Sequence, residues 1–283
     1  MGQTILAGNP VGRRVVVRAI GKGDNDPNLP AATIGDTVVT TRQLPRRNLV
    51  VAAALILVAL VGAAWWLFSG SDAPPPSPLA TAGARTAIIV PGYGGGTDGF
   101  GALTAALAAQ GVTVEVLDIG DGHGDINAYA AQLRQRTGEV EPPVAWIGYS
   151  MGGVITRAAY GSAQVDLVSS VTTWSAPLHG TKAAALANFA GACDQACQQM
   201  TPDSELVGSI SGPPAAGVRW LSLYSPADEV ISPYTSSDAD GARNIDLGSC
   251  TPPQNPTHGQ MPDNEVVLRL TVANTVGAGT LSC

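Results

Sequence analysis

Residues 144–160 read VAWIGYSMGGVITRAAY, and this stretch decides the fold. Its first four residues form an apolar run, which predicts a buried β-strand. The run ends at a Gly-x-Ser-x-Gly sequence, Gly148 to Gly152, and residues with helical apolar spacing follow at once. The serine between these glycines, Ser150, is either an ordinary turn residue or a nucleophile held on a sharp bend. Its context along the chain distinguishes the two.

Short apolar runs alternate with helical segments from residue 85 onward. The runs predict six strands, at residues 86–90, 112–117, 144–147, 168–174, 219–224 and 243–247. Helices are predicted at about 100–110, 125–136, 152–160 and 264–276. This alternation is typical of a mostly parallel sheet with helices on both faces. Residues 178–218 break the rhythm, so we expect them to form a small cap over the carboxyl edge of the sheet, where such sheets bind ligands.

An uncharged stretch at residues 49–68 has the length needed to cross a bilayer. Three basic residues lie just before it: Arg42, Arg46 and Arg47. Their position predicts a transmembrane signal anchor at 48–68, with the N-terminus in the cytoplasm and the rest of the chain outside. A cleaved signal peptide is the alternative, because Ala80-Thr81-Ala82 resembles a cleavage site. In both cases most of the chain is exported.

The sequence divides into four parts, one of which is the predicted span at 48–68. Residues 1–47 are predicted to be a disordered cytoplasmic tail, 69–84 a Pro-rich linker and 85–283 the folded domain. The chain has 283 residues, of which 45% are hydrophobic and 13% charged, which suits a domain with a sizeable core. The net charge of −7 argues against nucleic acid as a partner. The sequence does not predict an oligomeric state.

All four cysteines follow the predicted span, and their even number is typical of disulfides in an oxidising compartment. Three pairings are possible, of which we expect Cys193–Cys197 and Cys250–Cys283. A zinc site is the alternative interpretation of the closely spaced pair, but no second close Cys/His pair accompanies it. We expect neither a metal nor a cofactor.

A serine hydroxyl becomes a good nucleophile only beside a base, and that base needs a carboxylate to orient it. In the α/β arrangement expected here, the chain order is serine, then acid, then histidine. His123 precedes Ser150, and His179 comes directly after a strand, too early in the chain for an acid to lie at the next strand end. His258, in the loop before the last helix, is therefore the predicted base. Asp228 follows the fifth predicted strand and is the predicted acid. Its alternative interpretation is a turn aspartate that caps local backbone. The rival acids are Glu229, Asp203, Asp238, Asp240 and Asp246.

The Gly-rich loop PGYGGG follows the first predicted strand. Its glycines let the main chain approach a reacting carbonyl, so the N–H groups of Tyr93 and Met151 are the predicted oxyanion donors. A phosphate-binding loop is the alternative, but the Lys-Ser/Thr pair of a P-loop is lacking. The acidic and histidine-bearing stretch 121–125 is expected to be a solvated loop rather than a cation site.

These segments together resemble the bacterial lipase/esterase group of the α/β-hydrolase superfamily. The resemblance covers about residues 85–275 and rests on IIVPGYGGG, WIGYSMGGVITRAAY, WSAPLHGT, LYSPADEVISP and NPTHGQMPDNEVV. The family often has His-Gly where this chain has Pro91-Gly92. The resemblance implies an α/β-hydrolase fold, here preceded by one transmembrane helix, with Ser150 as nucleophile, Asp228 as acid and His258 as base.

The implied activity is hydrolysis of carboxylic esters, of small molecules or lipids, through an acyl-enzyme. Two alternatives stay open from the sequence. An acyltransferase of the cell envelope would pass the same acyl group to an alcohol. A catalytically inactive binding domain would use the same cleft for a ligand.

Overall fold

The computed structural model describes residues 82–160, 165–210, 217–279 and 281–283. The predicted tail at 1–47, the predicted span at 48–68 and all but the end of the predicted linker lie outside these residues. Within the described ranges, no helix is both long enough and apolar enough to cross a membrane.

A parallel sheet of six strands forms the centre of the domain. The strands are β1 (Thr86–Val90), β2 (Thr113–Val116), β3 (Val144–Tyr149), β4 (Val168–Trp174), β5 (Arg219–Tyr224) and β6 (Arg243–Asp246). They lie in the order β2-β1-β3-β4-β5-β6, and each neighbouring pair is parallel. The chain passes outward from β1 to β2 and then crosses back to β3, so the order of the strands reverses between β1 and β3, the place where open α/β sheets hold ligands in a crevice.

Seven α-helices connect or cover these strands in the described part of the chain. They are α1 (Gly101–Ala108), α2 (Ile126–Glu139), α3 (Met151–Tyr160), α4 (Lys182–Phe189), α5 (Gln195–Gln199), α6 (Glu205–Ile210) and α7 (Glu265–Val276). Asp125 caps α2 by accepting a hydrogen bond from the N–H of Asn127, and Asn264 caps α7 in the same way. Both side chains satisfy backbone donors that the first helical turn leaves free.

The two faces of the sheet are buried under different helices. In β3, Trp146 points into a core formed with α2, α3 and the cap, whereas Ile147 points into a core formed with α1 and α7. Side chains of a strand alternate between faces, so a strand covered on both sides must be apolar throughout. This explains why the sequence of β3 reads as a continuous apolar run.

The predicted strands and helices are all present, with small differences at their ends. The predicted helix at 100–110 is shorter, because a 3₁₀ turn at Asp98–Phe100 precedes α1. The predicted cap contains α4, α5 and α6, although its sequence has little helical periodicity. Short polar caps begin two of these helices: Thr181 accepts from the N–H of Ala183, and Asp194 accepts from the N–H of Cys197.

Two disulfides join the four cysteines, in the pairing expected from the sequence. Cys193–Cys197 lies in the cap and closes a loop of four residues. Cys250–Cys283 ties the end of the chain to the loop that leads towards α7. Within the described residues, no group of three or more His, Cys, Asp or Glu side chains could hold a metal ion.

Candidate active site

Ser150 occupies a sharp bend between β3 and α3. Its φ angle is 55°, in the left-handed region, which costs a non-glycine residue about 1–3 kcal/mol. The bend is possible because Gly152 packs directly against the end of β1: a Cβ on Gly152 would lie 2.0 Å from the carbonyl oxygen of Val90. A Cβ on Gly148 would lie 2.5 Å from the carbonyl oxygen of Gly152. The two glycines of the motif are therefore required by close packing.

His258 lies directly beside this bend. It begins a 3₁₀ helix, His258–Asp263, that precedes α7. Its Nε2 atom is 3.0 Å from Ser150 Oγ. The backbone of His258 is held at both ends, because its N–H donates to Glu229 Oε2 at 3.1 Å and its carbonyl accepts from the hydroxyl of Tyr149 at 3.1 Å. The imidazole is thus fixed by its backbone as well as by its ring nitrogens.

Asp228 completes the hydrogen-bond chain. Its Oδ2 atom is 2.9 Å from His258 Nδ1, while Oδ1 accepts from the N–H groups of Val230 and Ile231 at 2.9 and 2.8 Å. One carboxylate oxygen of Asp228 therefore contacts the imidazole and the other caps local backbone, so its position fits both interpretations of the sequence. The geometry fits the tautomer in which Nδ1–H donates to Asp228 and Nε2 accepts from the serine hydroxyl.

The pKa of Asp228 is lowered by its partners. Burial raises the pKa of this carboxyl, but the hydrogen bonds from His258 and from the N–H of Ile231 lower it by more. The pKa of Asp228 therefore lies below its usual range. An ionised carboxylate at this position favours an imidazolium when the ring takes up a proton. The chain Asp228–His258–Ser150 can therefore accept a proton from the serine hydroxyl.

Three of the five rival acids contact groups other than the imidazole ring of His258. Glu229 accepts a hydrogen bond from the backbone N–H of His258, whereas the imidazole ring contacts Asp228. Asp246 caps the turn at Gly248. Asp238 lies beside Tyr224, whose pKa is raised first by burial and then by its hydrogen bond with Asp238. His179 is exposed on the loop after β4. His123 is also exposed, and its Nδ1 contacts Asp194 rather than the serine.

The predicted oxyanion donors flank Ser150. Met151 is the first residue of α3, so its N–H has no acceptor within the helix and the positive end of the helix dipole points towards the serine. Tyr93 lies in the loop after β1, and a Cβ on the adjacent Gly92 would lie 3.1 Å from Ser150 Cβ. The main chain of this loop therefore passes beside the serine side chain.

A cavity of about 230 Å³ opens beside Ser150 and under the cap. Its walls are largely apolar and come from α4, the end of α5 and the loop after Asp228. The lining side chains include Pro177, Ala184, Ala187, Met200, Val230 and Ile231. Such a cavity favours an apolar group next to the serine hydroxyl.

Some supporting residues carry no clear signal in the sequence. Tyr149 and Glu229 hold the His258 backbone, and Asp194 contacts the side chains of both Tyr93 and His123. Asp194 lies inside the C-x3-C segment, which was the one feature that could have drawn attention to it. The stretch 121–125 forms a loop of local turns, since Asp121 accepts from the N–H of His123 at 3.1 Å.

Comparison with solved structures shows where this fold occurs. The chain is similar to a lipase B from Aspergillus fumigatus, with 18% identity, a TM-score of 0.57 and 70% of this chain covered. It spans 57% of the length of that lipase. It is also similar to a mature lipase from Bacillus licheniformis, with 15% identity, a TM-score of 0.56, and 73% of this chain and 96% of that chain covered.

No protein-family model matches the sequence, and no curated protein matches it either. At these identities, the structural likeness concerns the fold. Together with the parallel sheet and the bend at Ser150, it confirms the fold that the sequence motifs predicted. The chain has the α/β-hydrolase fold, which it shares with these two lipases.

Proposed function

We propose that this protein is a serine hydrolase that cleaves carboxylic esters through an acyl-enzyme. The observation that carries the proposal is the continuous chain of hydrogen bonds from Asp228 through His258 to Ser150 Oγ, at 2.9 and 3.0 Å. Nucleophile, base and orienting acid lie within hydrogen-bond reach, as this reaction requires.

The first half of the reaction forms the acyl-enzyme. His258 Nε2 takes the proton from Ser150 Oγ as the oxygen attacks the ester carbonyl. The carbonyl oxygen becomes an oxyanion, which the N–H groups of Tyr93 and Met151 stabilise. His258 then gives its proton to the alcohol oxygen, the carbon–oxygen bond breaks and the alcohol leaves. Asp228 stabilises the imidazolium throughout.

The second half releases the acid. Water attacks the acyl carbonyl and passes a proton to His258 Nε2. The bond from the acyl carbon to Ser150 Oγ breaks, and the imidazolium returns its proton to the serine. The apolar cavity beside Ser150 supports an acyl group of hydrocarbon character as the part that is retained in the first half.

The test is the hydrolysis of p-nitrophenyl butyrate by purified protein and by Ser150→Ala. The natural protein should turn over the ester, and the variant should lose about 10⁴-fold or more in kcat, because only background stabilisation remains. Thr271→Ser, a conservative change at a buried position within α7, is purified and assayed in parallel as the control. Retained turnover in Ser150→Ala would remove the serine from the mechanism.

We further propose that the domain acts outside the cytoplasm, anchored through residues 48–68. The uncharged stretch and its preceding arginines support the anchor, and two disulfides support an oxidising compartment. Fractionation of expressing cells tests this directly. The full chain should remain with the membrane pellet after alkaline carbonate extraction, and a protease added outside should reach the domain. A chain that stays protected from that protease would contradict the proposed side.

A further inference from the structure

We propose that Asp194 is a positioning residue for the oxyanion site: it holds the Tyr93 side chain against the cap and thereby fixes the Tyr93 N–H beside Ser150. The inference rests on the proposed ester hydrolysis, and it adds a residue from the cap to that machinery. Tyr93, His123 and Asp194 are called the clamp below.

The clamp joins three separate segments of the chain through one carboxylate. Asp194 Oδ2 accepts a hydrogen bond from the hydroxyl of Tyr93, in the loop after β1. The same oxygen contacts Nδ1 of His123, in the loop between β2 and α2. The other oxygen, Oδ1, accepts from the N–H of Cys197 at 2.9 Å and so caps α5 of the cap. The oxyanion loop is thereby tied to the cap.

The cap end of the clamp is itself restrained. Asp194 lies between the two cysteines of the disulfide Cys193–Cys197, and its side chain is held by the N–H of Cys197. The N–H of Ala196 donates to the carbonyl oxygen of His123 at 3.3 Å, so this segment also meets the neighbouring loop through its backbone. The rings of Tyr93 and His123 lie 4.6 Å apart between centroids. Asp194 is therefore a fixed point for the Tyr93 side chain.

The tip of the loop that carries Tyr93 is exposed, so a contact from the Tyr93 side chain is needed to restrain it. Residues 92–96 read GYGGG, and a hydrogen bond from the N–H of Gly95 to the carbonyl of Gly92 closes a turn with Tyr93 at its tip. The base of the turn is packed, because a Cβ on Gly95 would lie 2.0 Å from the carbonyl oxygen of Gly120. Tyr93 itself is 44% exposed. Its hydroxyl contact with the cap therefore restrains the tip.

The charge states of the pair suit this contact. The hydrogen bond to Asp194 raises the pKa of Tyr93 to about 12, with burial and the charges of Asp194 and Asp121 adding to it, so the phenol remains a donor. Burial raises the pKa of Asp194, but hydrogen bonds from Tyr93, Cys197 and His123 outweigh it and keep the pKa low. A phenol that donates to a carboxylate forms a stronger hydrogen bond than two neutral groups do.

Two variants test the hydrogen bond between Tyr93 and Asp194, with one change at each partner. Tyr93→Phe deletes the donor and keeps the ring, and Asp194→Asn removes the charge of the acceptor. Each should lower kcat for p-nitrophenyl butyrate by about fivefold, with KM unchanged, because an oxyanion donor acts in the transition state. The double variant should be no slower than the slower single variant, because both changes break the same bond. Tyr234→Phe, which removes another partly exposed phenol, is the matched control.

Affinity for a boronic acid separates positioning from a general loss of structure. A boronate forms a tetrahedral adduct with the serine, so its Ki should rise by the same factor as kcat falls, while the melting temperature stays unchanged. Asp194→Glu, which keeps the charged acceptor, should retain more of kcat than Asp194→Asn. An unchanged kcat in both single variants, an effect on KM alone, or additive losses would overturn the positioning role. Natural protein without any ester turnover would instead refute the proposed function.

Discussion

The two sides of the proposed active site differ in their contact with water. On the triad side, the side chains of Asp228 and His258 are 1% and 10% exposed. Asp228 lies in the loop after β5, and His258 begins the 3₁₀ helix before α7. On the oxyanion side, Tyr93 is 44% exposed and is tied to the cap by a polar contact. The first side is built into the core of the domain, whereas the second depends on a separate segment folded over it.

This difference determines how each side responds to change. A buried charge that loses its partner stays unpaired, and the cost is large. An exposed polar group that loses its partner can bond to water instead. We therefore expect steep losses from changes on the triad side and graded losses from changes on the oxyanion side.

The largest expected effect compares two neighbouring acids. Asp228→Asn should lower kcat/KM for p-nitrophenyl butyrate by about 10⁴-fold, because an amide no longer holds the imidazole in the required tautomer. Glu229→Gln should cost less than about tenfold, because the amide oxygen can still accept from the His258 N–H. Both variants are measured under one set of conditions. Similar losses in the two would mean that the orienting acid is shared.

Stability at the bend is the next largest effect. Gly152→Ala places a Cβ about 2.0 Å from the carbonyl of Val90, so the strand and helix must separate. Its free energy of unfolding in urea should fall by about 3 kcal/mol or more. Gly138→Ala, in open space near the end of α2, should change stability by less than about 1 kcal/mol and in the stabilising direction. A tolerated Gly152→Ala would contradict the close packing.

The two disulfides should separate stability from catalysis. Replacing Cys250 and Cys283 by serine opens a loop of 33 residues and should lower stability by about 3–4 kcal/mol, with little effect on kcat in folded protein. The same change at Cys193 and Cys197 opens a loop of four residues and should cost about 2 kcal/mol. It should nevertheless lower kcat by about fivefold, because without the disulfide the segment that carries Asp194 no longer holds the Tyr93 side chain in place. The opposite order of effects on kcat would argue against the clamp.

The smallest effect concerns the acid side of the pH range. The folded-state pKa of Asp228 is lowered, so its ionised form stabilises the fold above the unfolded-state pKa of about 3.9. That contribution is lost as pH falls through the folded-state pKa. The difference in unfolding free energy between the natural protein and Asp228→Asn should therefore be constant near neutral pH and shrink below about pH 4. A difference that grows on acidification would contradict a lowered pKa.

Much of the fold follows from local patterns in the sequence. Strands buried on both faces, such as β3, read as apolar runs, and helix ends are signalled by caps such as Asp125 and Asn264. The meeting of Ser150, Asp228 and His258 could be predicted because only three histidines are present and chain order eliminates two of them. These features depend on short stretches of sequence or on the order of elements in the fold.

The supporting contacts depend on distant segments and could not be predicted. Asp194 lies 101 residues from Tyr93 along the chain, and Glu229 meets the His258 backbone across 29 residues. No periodicity or motif encodes such a meeting, which arises only when the cap and loops fold over the sheet. The cap helices were missed for a related reason, since they are short and depend on polar caps rather than on an apolar stripe.

Labelling with a fluorophosphonate tests whether His258 activates Ser150, because this probe reacts with serines that a neighbouring base activates. Purified protein is treated with the probe, digested and analysed by mass spectrometry, in parallel with His258→Ala. We expect one phosphonylated residue, Ser150, and a loss of labelling in the histidine variant. Labelling that is absent from the natural protein, or equally fast without the imidazole, would contradict it.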